Sequence, residues 1–238
     1  MNAFIYSVCL QWRIDLRNKG ILTTYYIVPL IFFGFMGSIF SSINPQLKET
    51  LIQSMSIFSI TMGAILGAPA PLVALYSSDI KKAYKASNIP LSMPAICNFI
   101  SAFINLFIVS LIIFFIAPIA FHATMPSNIP LYFLTLIIFI IVSLSIGTLL
   151  GLLIKNSSKI TMFSQLIFLP SLMLSGIMFP TILLPKAFET IGKIFPATHA
   201  MKIMTGNILN VNMFLPLILI LVIMIMLIIF KISKLTVE

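Results

Sequence analysis

Six uninterrupted apolar stretches constrain this chain more than any other feature. They cover 21–43, 51–75, 95–117, 131–153, 160–178 and 213–230. Each approaches or exceeds the roughly 18–20 residues that a helix needs to cross the hydrocarbon core of a bilayer. The runs are continuous rather than alternating, so they specify helices and not the strands of a membrane barrel. Of the 238 residues, 60% are hydrophobic and 8% charged, with mean hydropathy +1.16. Such a chain has too little polar surface to cover a globule in water, and the bilayer is its solvent. The expected fold class is all-α: a polytopic membrane protein with six transmembrane helices, forming one domain over 1–238.

An even number of spans puts both termini on one side. That side carries Arg13, Arg17, Lys19, Lys81, Lys82, Lys85, Lys155, Lys159, Lys231 and Lys234, while Lys48, Lys186, Lys193 and Lys202 lie opposite. The positive-inside rule places the richer side, and so both termini, in the cytoplasm. It also accounts for the net charge of +9 without a nucleic-acid partner. Residues 1–20 do not span. Ile5, Val8, Cys9, Trp12 and Leu16 recur at helical spacing against Asn2, Gln11, Arg13 and Arg17. This predicts an amphipathic helix along the inner membrane surface, with Trp12 near the headgroups. Cys9 and Cys97 have neither zinc-site nor disulfide-framework spacing.

The middles of the spans contain no Asp, Glu, Lys or Arg. Ion-coupled carriers place such groups near the midplane as relays, so their absence counts against that class. Polarity comes instead from amides and hydroxyls. Asn98, Ser101 and Asn105 share one face of the third span; Gln53, Ser54 and Thr61 lie in the second, Ser164 and Gln165 in the fifth. Such groups hydrogen-bond helices together or line a cavity. Gly63–Gly67 and Gly147–Gly151 are GxxxG pairs, which specify close helix packing. Pro170 removes a backbone donor in mid-span, where a bend is expected. His122 and His199 lack metal-ligand spacing, and no G-x-x-x-x-G-K-[ST] phosphate loop occurs. The chain is therefore not expected to be an enzyme.

Two connections stand out. In "LYSSDIKKAYKASNIPLSMP", Ser77 or Ser78 would cap a short helix with Asp79 in its first turn and Lys81, Lys82 and Lys85 beyond it; Pro90 and Pro94 limit it. It is either a basic inner loop or a docking helix for a cytoplasmic partner. After the fifth span, Gly176 permits a turn, Pro180 stops the helix and Pro185 opens another, expected over 185–195. Leu184, Ala187, Phe188, Ile191, Ile194 and Phe195 form its apolar stripe, opposite Lys186, Glu189, Thr190 and Lys193. It is too short to span, so it would dip into the outer leaflet or cover the bundle. "PATHAMKIMTG" would add a second short turn or helix ending at Gly206.

This order of parts resembles the permease subunits of type-2 ABC exporters. The most specific likeness is the run Pro170, Ser175-Gly176, Phe179-Pro180, Leu184-Pro185 and Pro196-Ala197-Thr198-His199-Ala200, together with Asp79–Lys85 and Pro90 in the inner loop. The coupling segment departs from relatives that begin it with an acidic-Arg-Glu pattern. The resemblance implies a connecting helix over 1–20, a coupling loop over 76–94 and an extracellular amphipathic or re-entrant helical segment over 179–211. It implies a half-transporter: two permease chains, identical or paralogous, with a cytoplasmic ABC ATPase subunit beneath each. The chain itself would hold no cofactor; ATP and Mg would be bound by the partner.

By the same resemblance, Asp79, Lys81, Lys82, Lys85, Arg13 and Arg17 would contact the ATPase. Phe58, Thr61, Met62, Gln165, Phe168, Leu169 and Leu172 would line the cargo pathway. Leu172, Met173 and Leu174 would form an outer plug, with Phe188 and Ile191 in a lid. The implied location is a bacterial plasma membrane. The Met- and Phe-rich spans favour a hydrophobic drug or an amphipathic peptide as cargo. Lipid or a polysaccharide precursor is the alternative within the family, and an ion-coupled carrier the alternative outside it.

Overall fold

The computed structural model describes residues 3–43, 48–77, 90, 92–178, 185–206 and 211–237. Regular structure among them is entirely helical. α1 (Ala3–Arg17) precedes α2 (Lys19–Leu22), which continues through a π-helical turn, Thr23–Ile27, into α3 (Val28–Ile43). α4 (Leu51–Met62) likewise passes through a π turn, Gly63–Gly67, into α5 (Pro69–Ser77). α6 (Ser92–Phe121), α7 (Ile129–Leu153) and α8 (Ser157–Leu174) follow. Two short helices, α9 (Lys186–Gly192) and α10 (Pro196–Thr205), then lead to α11 (Leu215–Val237).

Asparagines start three of these helices. The side-chain oxygen of Asn18 accepts from the Gly20 and Ile21 amides, that of Asn128 from Leu131, and that of Asn156 from Ser158 and Lys159. Each satisfies backbone donors that the first turn leaves unpaired.

Five helices among the described residues are long and apolar enough to cross a membrane: Lys19–Phe40, Leu51–Tyr76, Ser92–Phe121, Ile129–Leu153 and Leu215–Lys234. The remaining expected span, 160–178, falls on α8. That helix is 18 residues long and more polar, with Ser157, Ser158, Lys159, Thr161, Ser164 and Gln165 in its first half.

Leu51–Tyr76 is the centre of the bundle: along its most apolar stretch 72% of residues are buried, against 6% for Leu215–Lys234. Every residue of α4 is buried. Its polar side chains Gln53, Ser54, Ser56, Ser59 and Thr61 are short or amide groups that can be buried where they find hydrogen-bond partners, as Ser56 does on the Tyr132 hydroxyl at 2.7 Å. Both GxxxG pairs act at this centre. A Cβ on Gly147 would lie 2.0 Å from the Ala64 carbonyl oxygen, so α7 meets the π turn of the central helix backbone to backbone. On another side of that turn, Cβ atoms on Gly63 and Gly67 would lie 2.8 and 2.7 Å from the Tyr25 ring. The two π turns thus interlock through one aromatic side chain.

The outer segment keeps its two expected parts with one boundary moved: the helix expected over 185–195 is α9, ending at Gly192, and "PATHAMKIMTG" forms the separate α10. Pro196 is the cause: it disfavours helical geometry at the preceding residue, and Phe195 is extended at φ −84°, ψ 132°. Gly176 has φ 84°, a turn that glycine adopts without a Cβ penalty. Gly206 closes α10 as expected.

Candidate cargo pathway and docking surface

α1 is tied to the bundle by polar contacts with α6. Asp15 accepts hydrogen bonds from the Ser101 hydroxyl and, at 2.9 Å, from Gln11 Nε2. The Trp12 indole N–H donates to Asn105 Oδ1 at 3.1 Å, and the Tyr26 hydroxyl donates to the same oxygen at 2.8 Å. Asn98 Nδ2 reaches the Ala68 carbonyl at 3.2 Å. The expected polar stripe of the third span therefore clamps α1, the first π turn and the central helix onto α6.

Trp12 lies beside Asn105, and Asp15 beside Ser101, one turn nearer the start of α6. α1 accordingly runs antiparallel to α6. Asn105 sits about 20 Å along α6 from its first residue, at 1.5 Å per residue. The Trp12 N–H thus has a partner on a spanning helix. Burial pushes the Asp15 carboxyl above the usual aspartate range, and the hydrogen bonds from Ser101 and Gln11 only partly oppose this. Arg13 and Arg17 stay exposed. Asp79, Lys81, Lys82 and Lys85, the other expected ATPase contacts, lie outside the described residues.

A cavity of about 260 Å³ lies where the first π turn, the central helix and α8 meet. Thr24, Met62, Leu66, Thr161, Ser164 and Gln165 are among its lining residues. It brings together Met62 and Gln165, two of the expected pathway residues. The Ser164 hydroxyl is buried and has no hydrogen-bond partner among the described residues. The lining carries no charged group, so it suits an uncharged or apolar guest with hydrogen-bonding capacity.

The other expected pathway residues are placed differently. Phe58 stacks on Phe32 with centroids 4.1 Å apart and meets Phe168 at 6.0 Å, all within this chain. Thr61 is buried, its hydroxyl bonded to the Ile57 carbonyl at 2.7 Å. Leu172 is buried too. Leu169 and Met173 are exposed and, with Met162 and Leu166, make an apolar stripe along one face of α8. Leu174 is half-buried, while Phe188 and Ile191 are exposed on α9. The plug and lid residues thus divide between the packed core and an open face.

α10 is the better-anchored outer helix, with Pro196, Ala197, Thr198, Ala200, Met201, Ile203 and Met204 buried. Thr198 Oγ1 donates to the Gly192 carbonyl, and His199 Nε2 lies 2.8 Å from the Lys193 carbonyl. The Thr-His pair therefore fastens the α9–α10 turn. Thr24, whose hydroxyl lines the cavity region while bonding Gly20, and Asp15 were not singled out as site residues. Asp15 had one legible signal: it is the lone acid among the basic residues of the N-terminal segment, two positions from both Arg13 and Arg17 and so on the opposite helix face.

Together these features define a polytopic helical membrane protein with an uncharged, partly open cavity between its helices. The chain matches the ABC-2 type transporter family over residues 2–209 and belongs to that family. No curated protein matches it. It is accordingly a permease-type membrane subunit of the ABC class.

Proposed function

We propose that the chain is one half of an ATP-driven exporter, moving a hydrophobic drug or amphipathic peptide outward, powered by separate ATPase subunits. The observation that carries the cargo class is the uncharged cavity between Thr24, Met62 and Ser164. It lies near the start of the first span, along the middle and second half of the second span and at the start of α8. With both termini cytoplasmic, the starts of the first span and of α8 are on the loading side. Its hydroxyl and amide groups suit neutral hydrogen-bonding parts of a cargo, and Met62, Leu66 and Ile160 suit its apolar parts.

Two surfaces fit the partners this reading requires. Exposed Arg13 and Arg17, on a helix clamped to α6, would pass ATPase movements into the bundle, alongside Asp79, Lys81, Lys82 and Lys85 of the coupling loop. The exposed stripe Met162, Leu166, Leu169 and Met173 would meet a second permease chain, homologous or identical.

The test is co-purification with an ABC ATPase subunit from the same cell. A stable complex is expected, with ATP hydrolysis stimulated by apolar drugs or amphipathic peptides. Met62→Trp should abolish that stimulation while the complex still forms. A chain that associates with no ATPase would overturn the reading; stimulation by lipids alone would move the cargo to the lipid class.

A further inference from the structure

A second cavity, of about 390 Å³, opens between α1, α2 and α5. Ile14 and Ile21 line one wall, Ala70, Ala74 and Leu75 the other, and Asn18 lies among the polar lining. The sequence explains the groove. "APAPLVAL" gives α5 small residues where a bundle helix would ordinarily carry Leu or Ile, so the neighbouring isoleucines leave space unfilled. Ile14 remains exposed along it.

Among the described residues, the exposed charges of the segment that walls this groove are all basic. Arg17 and Lys19 bracket Asn18, and Arg13 lies one turn back on α1; all three are exposed. The one carboxylate of this segment, Asp15, is turned inward onto Ser101 and Gln11. The acid that would neutralise the rim is thus taken into the protein, leaving basic groups beside an apolar slot at the end of the membrane-length helices.

We propose that this groove holds an acyl chain of an anionic phospholipid, with its phosphate between Arg17 and Lys19. A zwitterionic lipid supplies the same chain but no net charge for this rim to attract. Charge complementarity and the apolar lining therefore point to one occupant, an acidic lipid of the leaflet on the N-terminal side.

Native mass spectrometry of the detergent-purified full chain, given equal amounts of phosphatidylglycerol and phosphatidylcholine, tests this. Phosphatidylglycerol should be retained at least tenfold better. Arg17→Gln with Lys19→Gln should lower its retention by roughly thirtyfold, as expected for two basic residues at a membrane surface. Both positions are exposed, so this variant keeps the fold. Ala74→Phe should displace the lipid by filling the slot. A photoreactive phosphatidylglycerol should label 11–21 and 70–75. Equal retention of the two lipids, retention unaffected by the charge variant, or labelling elsewhere would each overturn the proposal. The chain is tested without an ATPase subunit, because the proposed function also sets Arg17 toward that partner.

Discussion

The Asp15 carboxylate accepts a hydrogen bond from the Ser101 hydroxyl, 86 residues away in sequence, and the contact fixes the N-terminal helix against α6. Removing the hydroxyl leaves a buried acid short of a donor, a loss of about 1–3 kcal/mol. Ser101→Ala should therefore loosen α1. Hydrogen exchange of residues 3–17 in detergent micelles is the measurement, with faster exchange there and little change in α7.

The same carboxyl sets a pH dependence. Its pKa in the folded chain is raised above 3.8, chiefly by burial. A raised value means the folded state holds the proton more tightly than the unfolded state. The contribution of Asp15 to stability is fully present below about pH 3.8–3.9 and is lost as pH rises through the higher folded value. Asp15→Asn should remove that dependence and raise the thermal midpoint at pH 7, because a neutral amide still accepts from Ser101. Midpoints of both proteins across pH 4–8 would check this. A steeper loss for the variant on raising the pH would contradict it.

Close helix contact makes a sharper prediction. Gly147 lies against the Ala64 carbonyl, whereas Gly34 has open space where a Cβ would be built. Gly147→Ala should cost at least the 1–3 kcal/mol typical of overpacking and reduce the folded yield. Gly34→Ala should be neutral or stabilising by about 0.5–1 kcal/mol, from helix propensity alone. Monodispersity on size exclusion and the thermal midpoint compare the pair.

These cases show which parts of the molecule local sequence encodes. Apolar runs, GxxxG pairs and proline stops report on one helix at a time, and they located most spans, the glycine contacts and the outer break. α8 was legible as a helix, but its polar first half became meaningful only once Ser164 and Gln165 were seen beside the first π turn. The polar stripe Asn98, Ser101 and Asn105 was visible by its spacing, yet its partners were not. Trp12 and Asp15 meet it across some 90 residues, and no periodicity within α1 specifies such a register. The π turns left no signal beyond Gly63–Gly67, whose closeness to the Tyr25 ring is a contact between two helices and not a property of either alone.

At the outer end, α9 exposes Phe188 and Ile191, while α10 is held by Thr198 and His199. Phe188→Glu with Ile191→Glu should change stability by less than about 0.5 kcal/mol, since both side chains are exposed among the described residues. If α9 is the lid, transport by the assembled exporter should fall severalfold. Thr198→Val should instead cost roughly 1 kcal/mol by removing the hydroxyl bond to Gly192. Transport assays on vesicles and thermal midpoints separate the two effects. Full transport by the double variant would remove the lid role from α9.

Ser164 offers the most direct separation of stability from function. Its hydroxyl is buried, lines the partly open cavity and has no partner among the described residues. An unpaired buried hydroxyl costs about 1–3 kcal/mol, so Ser164→Ala should stabilise the chain. A gain of about 1 kcal/mol corresponds to roughly 2–4 °C in the thermal midpoint for a chain of this size. The same change should weaken cargo that uses the hydroxyl, by about three- to tenfold for one neutral hydrogen bond. The readouts are the midpoint of the empty chain and the concentration of a neutral amphiphile that half-maximally stimulates the ATPase complex. A polar group kept at a cost to stability and needed for stimulation is a cargo contact. A variant that is less stable and equally well stimulated would assign Ser164 to packing between α8 and the central helix.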